Sequence, residues 1–388
     1  MFRIGQEEIN AVARVIESKE LFKINDANKE TFHAEEEMKE LFGTENAILM
    51  TSGHAALTSA LVAMGIGPGD QVIVPAYTYI ATAMAVVQAG AIPVIAEIDE
   101  SLTISPEDIE KKITEHTRAI IPVHIQGFPC NMDAIIEIAK KHRLFVLEDA
   151  CQADGGMYKG KRLGTIGDAG AYSFNYYKVI SCGEGGALVT DNKSIFEKSL
   201  IYHDSSAVAF FGDQLSNVDE ALFCGNEYRT NEIAAAILRE QMKKMDKILE
   251  DLRRNKKYIM DEIAPLCKFI SSNDIEGDCA TTLALLFDSA EKAAEFVDAV
   301  GMGSLSPINT GKHIYTNWTP IMEKVGALNP LMDPFKMEAN KNVIPEYTMD
   351  MCPKTLDLLS RAVYINIDPD WTEEDLKDRV EIIKGALK

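Results

Sequence analysis

Short apolar runs alternate with helical segments between residues 47 and 190, and this alternation constrains the fold more than any other feature of the chain. Strands that are separated by helices pair in parallel, because each helix carries the chain back to the edge where the previous strand began. The sequence therefore predicts an α/β fold, with a mainly parallel central sheet and helices on both faces. The predicted strands cover residues 47–50, 72–75, 91–98, 119–125, 144–149, 171–174 and 187–190.

The length of the chain predicts two domains. Its 388 residues exceed what one hydrophobic core usually supports. A charged helical segment over residues 231–260 links the alternating region to a remainder that offers a few strands and helices. We expect a large α/β domain over residues 1–250, including an N-terminal helix, and a small α+β domain over residues 251–388.

The composition of the chain limits which classes of partner and which cellular compartment we expect. Acidic residues outnumber basic ones by 60 to 39, giving a net charge of −21 that disfavours nucleic acid. The sequence contains no apolar run of about 18 residues, so no membrane span is predicted. The N-terminus lacks the apolar segment of a signal peptide, and we expect a cytoplasmic protein. Seven scattered cysteines without a CxxC pair predict neither a zinc site nor a disulfide framework.

Three chemically distinct side chains follow neighbouring predicted strands. Asp149 ends the strand 144–149, Ser173 lies in the strand 171–174, and Lys178 precedes a glycine-rich turn. In open parallel sheets, ligands bind beyond the carboxyl ends of the strands. A carboxylate, a hydroxyl and an amine are what pyridoxal phosphate (PLP) requires for its ring nitrogen, its phosphate and its aldehyde. Alone, Lys178 would read as a surface lysine and Asp149 as a helix cap; together they predict a PLP site.

Further residues are candidates for the same site. Ser52, Gly53 and His54 open a predicted helix, whose free N–H groups suit a phosphate, although a plain helix cap explains them equally well. Tyr79 is a candidate for stacking on the cofactor ring, against the alternative of a core aromatic residue. Gln152 is a candidate partner of the ring oxygen, against the alternative of a polar residue at a helix start.

Taken together, these segments resemble the DegT-type sugar aminotransferases, which are PLP enzymes of fold type I. The resemblance covers nearly the whole chain, and its central block is the most specific part. The segments that carry it are TSGHAAL, GIGPGDQVIVPAYTYIAT, AGAIPVIAEID, EDACQADGG, GDAGAYSF with the lysine that follows, GEGGALVTD and NEYRTNEIAAAIL.

The resemblance implies a role for each matched residue. Lys178 would form the Schiff base with the cofactor, while Asp149 would pair with the ring nitrogen. The other cofactor-binding residues implied are Tyr79 on the ring face, Gln152 at the ring oxygen, Ser173 and the amides of Gly53 and His54 at the phosphate, and Asn226 in a segment contributed by a partner chain. The family also implies a homodimer whose active site is shared between the two chains.

The chain departs from the family pattern at two positions. His54 stands where the family usually has threonine or serine, so one phosphate hydroxyl is missing. The partner-chain motif G-x-N-x-R is replaced by a sequence in which Asn226 precedes Glu227, and Glu227 takes the place of the expected asparagine. Either Asn226 substitutes for it by a local shift, or the phosphate contact is lost. Because a glutamate would repel a phosphate, we expect Glu227 to point away from it.

The family implies transfer of an amino group from glutamate or glutamine to a keto- or aldehydo-sugar, either a nucleotide sugar or a sugar acid, in amino-sugar biosynthesis. Three alternatives stay open. A PLP-dependent sugar dehydratase would carry histidine in place of Lys178. An enzyme similar to the aminohydroxybenzoate synthases would give an aromatic product. A non-catalytic regulator on the same fold would show no response to amino donors.

Overall fold

The computed structural model describes residues 2–23, 29–206 and 218–388. The helices are α1 (Gln6–Ser18), α2 (Glu30–Phe42), α3 (Gly53–Ala63), α4 (Ala81–Gln88), α5 (Pro106–Lys112), α6 (Met132–His142), α7 (Lys193–His203), α8 (Glu232–Ile263), α9 (Ala290–Val300), α10 (Thr319–Met322), α11 (Pro353–Arg361) and α12 (Glu373–Ala386). The strands are β1 (Asn46–Met50), β2 (Gln71–Pro75), β3 (Ile92–Ala96), β4 (Thr117–Ile120), β5 (Phe145–Asp149), β6 (Met157–Tyr158), β7 (Lys161–Arg162), β8 (Ala169–Ser173), β9 (Gly186–Thr190), β10 (Thr282–Leu286), β11 (Ser304–Leu305) and β12 (Ala362–Asn366).

The central sheet has seven strands in the order β1-β9-β8-β5-β4-β2-β3. Its pairs from β8 to β3 are parallel, whereas β9 runs antiparallel to both of its neighbours. The prediction of a mainly parallel sheet is therefore confirmed, and one strand is the exception to it.

Helices cover both faces of this sheet, as predicted. Along β1, Ile48 and Met50 pack in a hydrophobic cluster with residues of α3 and α4. Ala47 and Leu49 point to the opposite face and pack in a second cluster with residues of α2 and α8. This alternation follows from the period of two in a strand, and it explains why the strands read as continuous apolar runs.

Two predicted strands are shorter than expected: β3 ends at Ala96 within the predicted 91–98, and the second is β4. The apolar run over 119–125 predicted a strand throughout, but β4 ends at Ile120. Pro122 has no N–H to donate to a ladder, so the regular ladder is interrupted here, and only an isolated parallel bridge between Val123 and Asp149 continues the pairing. Beyond it, Ile125–Gly127 forms a single 3₁₀ turn.

The C-terminal part has its own sheet. Strands β10, β12 and β11 pair antiparallel, α9 packs against β11 and β12, and α12 packs against α9. Helix α8 spans 32 residues and contacts α1, α2, α12 and β10. It runs across the predicted domain boundary at residue 250, and that boundary stays a prediction. Within the described ranges, no helix combines the length and apolarity needed to cross a membrane.

The carboxyl ends of β5 and β8 lie side by side. The two strands are parallel, with Asp149 paired to Ala171, so Ser173 follows two residues further along the neighbouring strand. On the other side of β8, Ser173 pairs with Gly186 of β9. Polar groups that are distant in sequence thus meet at one edge of the sheet.

Candidate active site

A cavity of about 430 Å³ contains three of the predicted site residues, together with others that the sequence analysis did not single out. It lies between the strand ends of the central sheet and the start of β10. Its walls are formed by Tyr79, Gln126, Gln152, Asn175, Tyr177, Lys178, Val179, Thr281 and His313.

Lys178 provides an ammonium group in the cavity wall. It follows β8 by five residues, in a turn where its N–H donates to the Asn175 carbonyl at 3.1 Å. The side chain is half-buried, and among the described residues its Nζ has neither a hydrogen-bond partner nor an ion-pair partner. An amine held at a cavity wall without a counter-ion is available to react with a carbonyl ligand.

Asp149 is buried, with 5% of its surface exposed, and its carboxylate is held in place by two donors. The Thr82 hydroxyl donates to Oδ2 at 2.7 Å, and the Cys151 N–H donates to Oδ1 at 3.1 Å. The Asp149 N–H donates in turn to the Pro122 carbonyl at 2.9 Å. These contacts fix the direction of a carboxylate at the base of the site.

The start of α3 forms a concave backbone surface. Ser52 caps the helix by accepting from the Ala55 N–H at 3.1 Å, while the N–H groups of Gly53 and His54 have no partner among the described residues. A Cβ at position 53 would lie 2.4 Å from the Cys151 sulfur and 3.0 Å from the Ser173 Cβ, so only glycine fits. The Ser173 hydroxyl likewise lacks a hydrogen-bond partner in the described part of the chain.

The His54 side chain does not join this surface. Its Nδ1 donates to the Ala81 carbonyl at 3.1 Å, and its Nε2 lies 2.9 Å from the Gln88 amide oxygen. The imidazole therefore binds α4, and only the backbone N–H of His54 faces outward from the helix start. The prediction for this position concerned the backbone N–H, and the His54 side chain takes no part in the surface at the start of α3.

Tyr79 and His313 form the aromatic part of the wall. Tyr79 is 43% exposed, and its ring centroid lies 5.4 Å from that of His313. Burial lowers the pKa of His313, and the nearby charge of Lys178 lowers it further. The hydrogen bond from Nδ1 to the Thr310 carbonyl at 3.2 Å acts against this lowering of the pKa and holds the ring in place. Tyr79 is thus a cavity residue and not a core residue.

The cavity wall also contains residues that no sequence motif indicated. Gln126 and Thr281 lie next to Gln152, whose Oε1 accepts the Gln126 N–H at 3.0 Å. Asn175 and Tyr177 flank Lys178, and 80% of the Tyr177 surface is exposed. Thr281 immediately precedes the second sheet, so no local pattern around residues 149–186 could have indicated it.

Asn226 lies outside this cavity wall. Its Nδ2 donates to the Tyr202 hydroxyl at 2.7 Å, and its side chain is exposed. The neighbouring Glu227 carboxylate pairs with Arg229 at 2.8 Å, and Arg229 also pairs with the buried Asp204. Within one chain, Asn226 is therefore not brought to Lys178, and its predicted role stays a prediction.

The residues present fit PLP. The absence of a side chain at Gly53 lets the start of α3 pack closely against Cys151 and Ser173, so its unpaired N–H groups lie near Ser173. Together with the Ser173 hydroxyl, these N–H groups suit a phosphate dianion. Asp149 offers a fixed carboxylate to a ring nitrogen, and Lys178 offers an unpaired amine to an aldehyde. No other cofactor class follows from this donor set as directly.

The fold and this edge of the sheet define the class as an α/β protein with the architecture of the fold type I aminotransferases. Residues 3–315 match the model of the DegT/DnrJ/EryC1/StrS aminotransferase family. The chain belongs to this family, as the sequence motifs indicated.

Relatives and a solved structure agree with this assignment. The chain is 39% identical over 248 residues to the spore coat polysaccharide biosynthesis protein SpsC of Bacillus subtilis, a match that covers 63% of each chain. It is 40% identical over 208 residues to a GDP-perosamine synthase of Escherichia coli O157:H7, covering 53% of this chain and 56% of that one. The matches thus span less than two thirds of these relatives. An X-ray structure of an aminotransferase from Psychrobacter cryohalolentis superposes with a TM-score of 0.79 at 29% identity, covering 99% of this chain and 97% of the other.

Proposed function

We propose that this protein is a PLP-dependent aminotransferase that moves an amino group from glutamate or glutamine to a keto- or aldehydo-sugar in amino-sugar biosynthesis. One observation carries the proposal: the unpaired amine of Lys178 lines a cavity together with Gln152, which follows the buried, oriented carboxylate of Asp149 by three residues. The family assignment supports the same reaction class. The presence of lysine at position 178 disfavours the dehydratase alternative, which would have histidine there.

Each residue has a defined task in this proposal. When bound, PLP supplies an electron sink that carries the amino group from the donor to the acceptor. Lys178 Nζ holds the cofactor and, when released, moves a proton as general base and acid. Asp149 keeps the ring nitrogen protonated through a charge-assisted hydrogen bond. Ser173 and the amides of Gly53 and His54 bind the phosphate, and Tyr79 covers the ring.

The test is reconstitution with PLP and exposure to amino donors. We expect the wild-type protein to turn yellow, and L-glutamate or L-glutamine to bleach this absorbance while the corresponding keto acid is released. Keto-sugars added afterwards should restore the absorbance, and those that do so identify the acceptor. Lys178→Ala should lose both the yellow absorbance and turnover. The matched control is Lys161→Ala, which removes an exposed lysine of β7 outside the cavity wall and should retain both.

The same experiment separates the alternatives. Wild-type-like turnover by Lys178→Ala would refute the assignment. Deoxygenation of a sugar without amination would indicate a dehydratase, and an aromatic product would indicate a synthase of the aminohydroxybenzoate type. PLP binding without any response to amino donors would favour a regulator.

We further propose that the active protein is a homodimer in which Asn226 of one copy completes the phosphate site of the other. Two aromatic side chains beside Lys178 support a covering partner, because Tyr176 is 66% exposed and Tyr177 is 80% exposed. The placement of Asn226 outside its own cavity wall supports a role in a second copy.

Complementation tests this arrangement. Lys178→Ala and Asn226→Asp should each be inactive, the second because a carboxylate repels the phosphate. After co-refolding in equal amounts, half of the dimers carry one copy of each variant, and one of their two sites is native. About a quarter of wild-type activity should therefore return. A mixture that stays as inactive as its components would contradict the shared site.

A further inference from the structure

Gln126 adopts a backbone conformation that is unusual for its residue type. It lies in the 3₁₀ turn Ile125–Gly127 with φ 53° and ψ 18°, in the left-handed region. For a residue with a Cβ this region costs about 1–2 kcal/mol. Such a conformation persists only where surrounding contacts enforce it, and these positions cluster at functional sites.

Two hydrogen bonds of its backbone enforce it here, a third joins its side chain, and the three reach in two directions. The Gln126 N–H donates to Gln152 Oε1 at 3.0 Å, on the side of the central sheet. Its carbonyl accepts from the Thr281 hydroxyl at 2.9 Å, and its Oε1 accepts from the Thr282 hydroxyl at 3.0 Å. Gln126 therefore connects the segment after β5 with the start of β10.

The first of these bonds determines which way round the Gln152 amide sits. A backbone N–H can only donate, so the atom facing Gln126 must be the oxygen of the Gln152 amide. The other end of the amide, Nε2, has no hydrogen-bond partner among the described residues, and Gln152 lines the cavity. The group left for a ligand is therefore a donor, which suits an anionic oxygen on the ligand.

We propose that Gln126 is a positioning residue: through its backbone N–H it presents the Gln152 amide as a hydrogen-bond donor to the ring oxygen of the cofactor, with the Thr281 hydroxyl holding the turn in place through the Gln126 carbonyl. The proposal rests on the proposed function, since it assumes that PLP occupies this cavity. It assigns the effect to the backbone at position 126 and not to its side chain.

The readout is the pH at which the absorbance of the bound cofactor changes. A donor to the ring oxygen favours its anionic form, so losing the donor raises this midpoint. Gln152→Leu removes the donor and should raise the midpoint by about 1 pH unit, because a hydrogen bond to a charged group is worth about that much. Gln126→Val keeps the N–H but disfavours the left-handed backbone, and it should shift the midpoint in the same direction.

Gln126→Gly is the matched control. Glycine accepts the left-handed conformation and retains the N–H, so the midpoint should stay within about 0.2 pH units of wild type. Circular dichroism and urea unfolding of the PLP-free variants check folding. If Gln126→Val does not fold, the comparison of Gln126→Gly with Gln152→Leu still decides.

Each outcome is informative. A shift in Gln126→Gly as large as that in Gln152→Leu overturns the proposal, because the side chain would then be responsible. An unchanged midpoint in Gln126→Val or in Gln152→Leu also overturns it, while the PLP absorbance and turnover leave the proposed function standing. Absence of any PLP absorbance in wild type removes both proposals together.

Discussion

Asp154 is a buried acid whose two carboxyl oxygens have no hydrogen-bond partner among the described residues. Burial raises its pKa well above the usual range of an aspartate, although the charge of Lys178 acts in the opposite direction. Removing a carboxylate from water without a partner is costly, so we expect the folded protein to favour the protonated form of this group.

This acid should make stability depend on pH. Above the unfolded pKa of about 3.9, the unfolded chain releases a proton that the folded protein retains, so stability falls as the pH rises towards the raised folded pKa. Asp154→Asn removes this loss. From about pH 5 to about pH 7, the free energy of unfolding of the variant relative to wild type should rise by up to about 1.4 kcal/mol per pH unit.

Urea unfolding of the PLP-free proteins at several pH values across this range measures the difference. The exposed Asp298→Asn on α9 is the control and should run parallel to wild type. If Asp154→Asn also runs parallel to wild type at every pH, the acid is not held protonated.

Thr82 should affect the chemistry through Asp149. Its hydroxyl donates to Asp149 at 2.7 Å and accepts from the Thr78 hydroxyl at 2.8 Å. Thr82→Val keeps the shape but removes the donor, and it should lower kcat/KM about tenfold, in line with the loss of a hydrogen bond to a charged group. Thr82→Ser should retain most of the activity. Equal losses in both variants would point to packing and not to the hydrogen bond.

The sequence could predict those site residues that lie in a recognisable local motif. Asp149, Gln152 and Lys178 lie in one continuous motif, and the structure brings Gln152 and Lys178 into one cavity wall, of which Asp149 is not a part. Gln126 and Thr281 were not predicted as cavity residues, because each is an ordinary polar residue that only the tertiary fold brings to the cavity. The sequence likewise could not predict that the His54 imidazole turns towards α4, since this depends on how α3 and α4 pack.

Among the elements, the strands and helices of residues 47–190 were predictable because their apolar periodicity is strong. The direction of β9 was not, since an apolar run reads the same whether its strand is parallel or antiparallel. The early end of β4 was missed although Pro122 signals it, because apolar residues continue on both sides. Helix α7 was missed as well, since its apolar pattern is weak.

Helix α8 is joined to the segment before β10 by a buried ion pair. Lys256 and Asp278 are both almost fully buried and contact each other, and the Asp278 carboxylate also accepts from the Ala280 N–H at 2.7 Å. The side chain of Lys256 further lies over the ring of Phe128, 5.2 Å from its centroid. A pair of this kind is costly to break at one end only.

Lys256→Met should therefore lower the free energy of unfolding by about 3 kcal/mol or more, because it leaves a buried carboxylate unpaired. Lys256→Met with Asp278→Asn should recover part of this loss. Exposed Lys257→Met, on the same helix, serves as control and should change stability by less than about 0.5 kcal/mol. Urea unfolding measures all three, and a double variant no better than Lys256→Met would show that the pair is not coupled.

For the molecule as a whole, the net charge of −21 opposes association of two copies. Salt screens this repulsion, since the Debye length falls to about 8 Å at physiological ionic strength. The dissociation constant of the proposed homodimer should therefore decrease severalfold between about 20 mM and about 200 mM salt. Sedimentation velocity measures it, and a dimer that weakens with added salt would mean that complementary charges dominate the interface.

Helix α8 begins just after the segment that carries Asn226 and ends beside the second sheet. At 1.5 Å per residue its 32 residues form a continuous helix roughly 48 Å long. If ligand binding shifts the second sheet, a rigid α8 would tilt with it and would move the segment proposed to serve the neighbouring copy. Two sites linked in this way would not fill independently. Titration of the assembled protein with PLP would reveal this coupling as a binding curve that departs from a simple hyperbola. A hyperbolic binding curve would show that α8 does not couple the two sites.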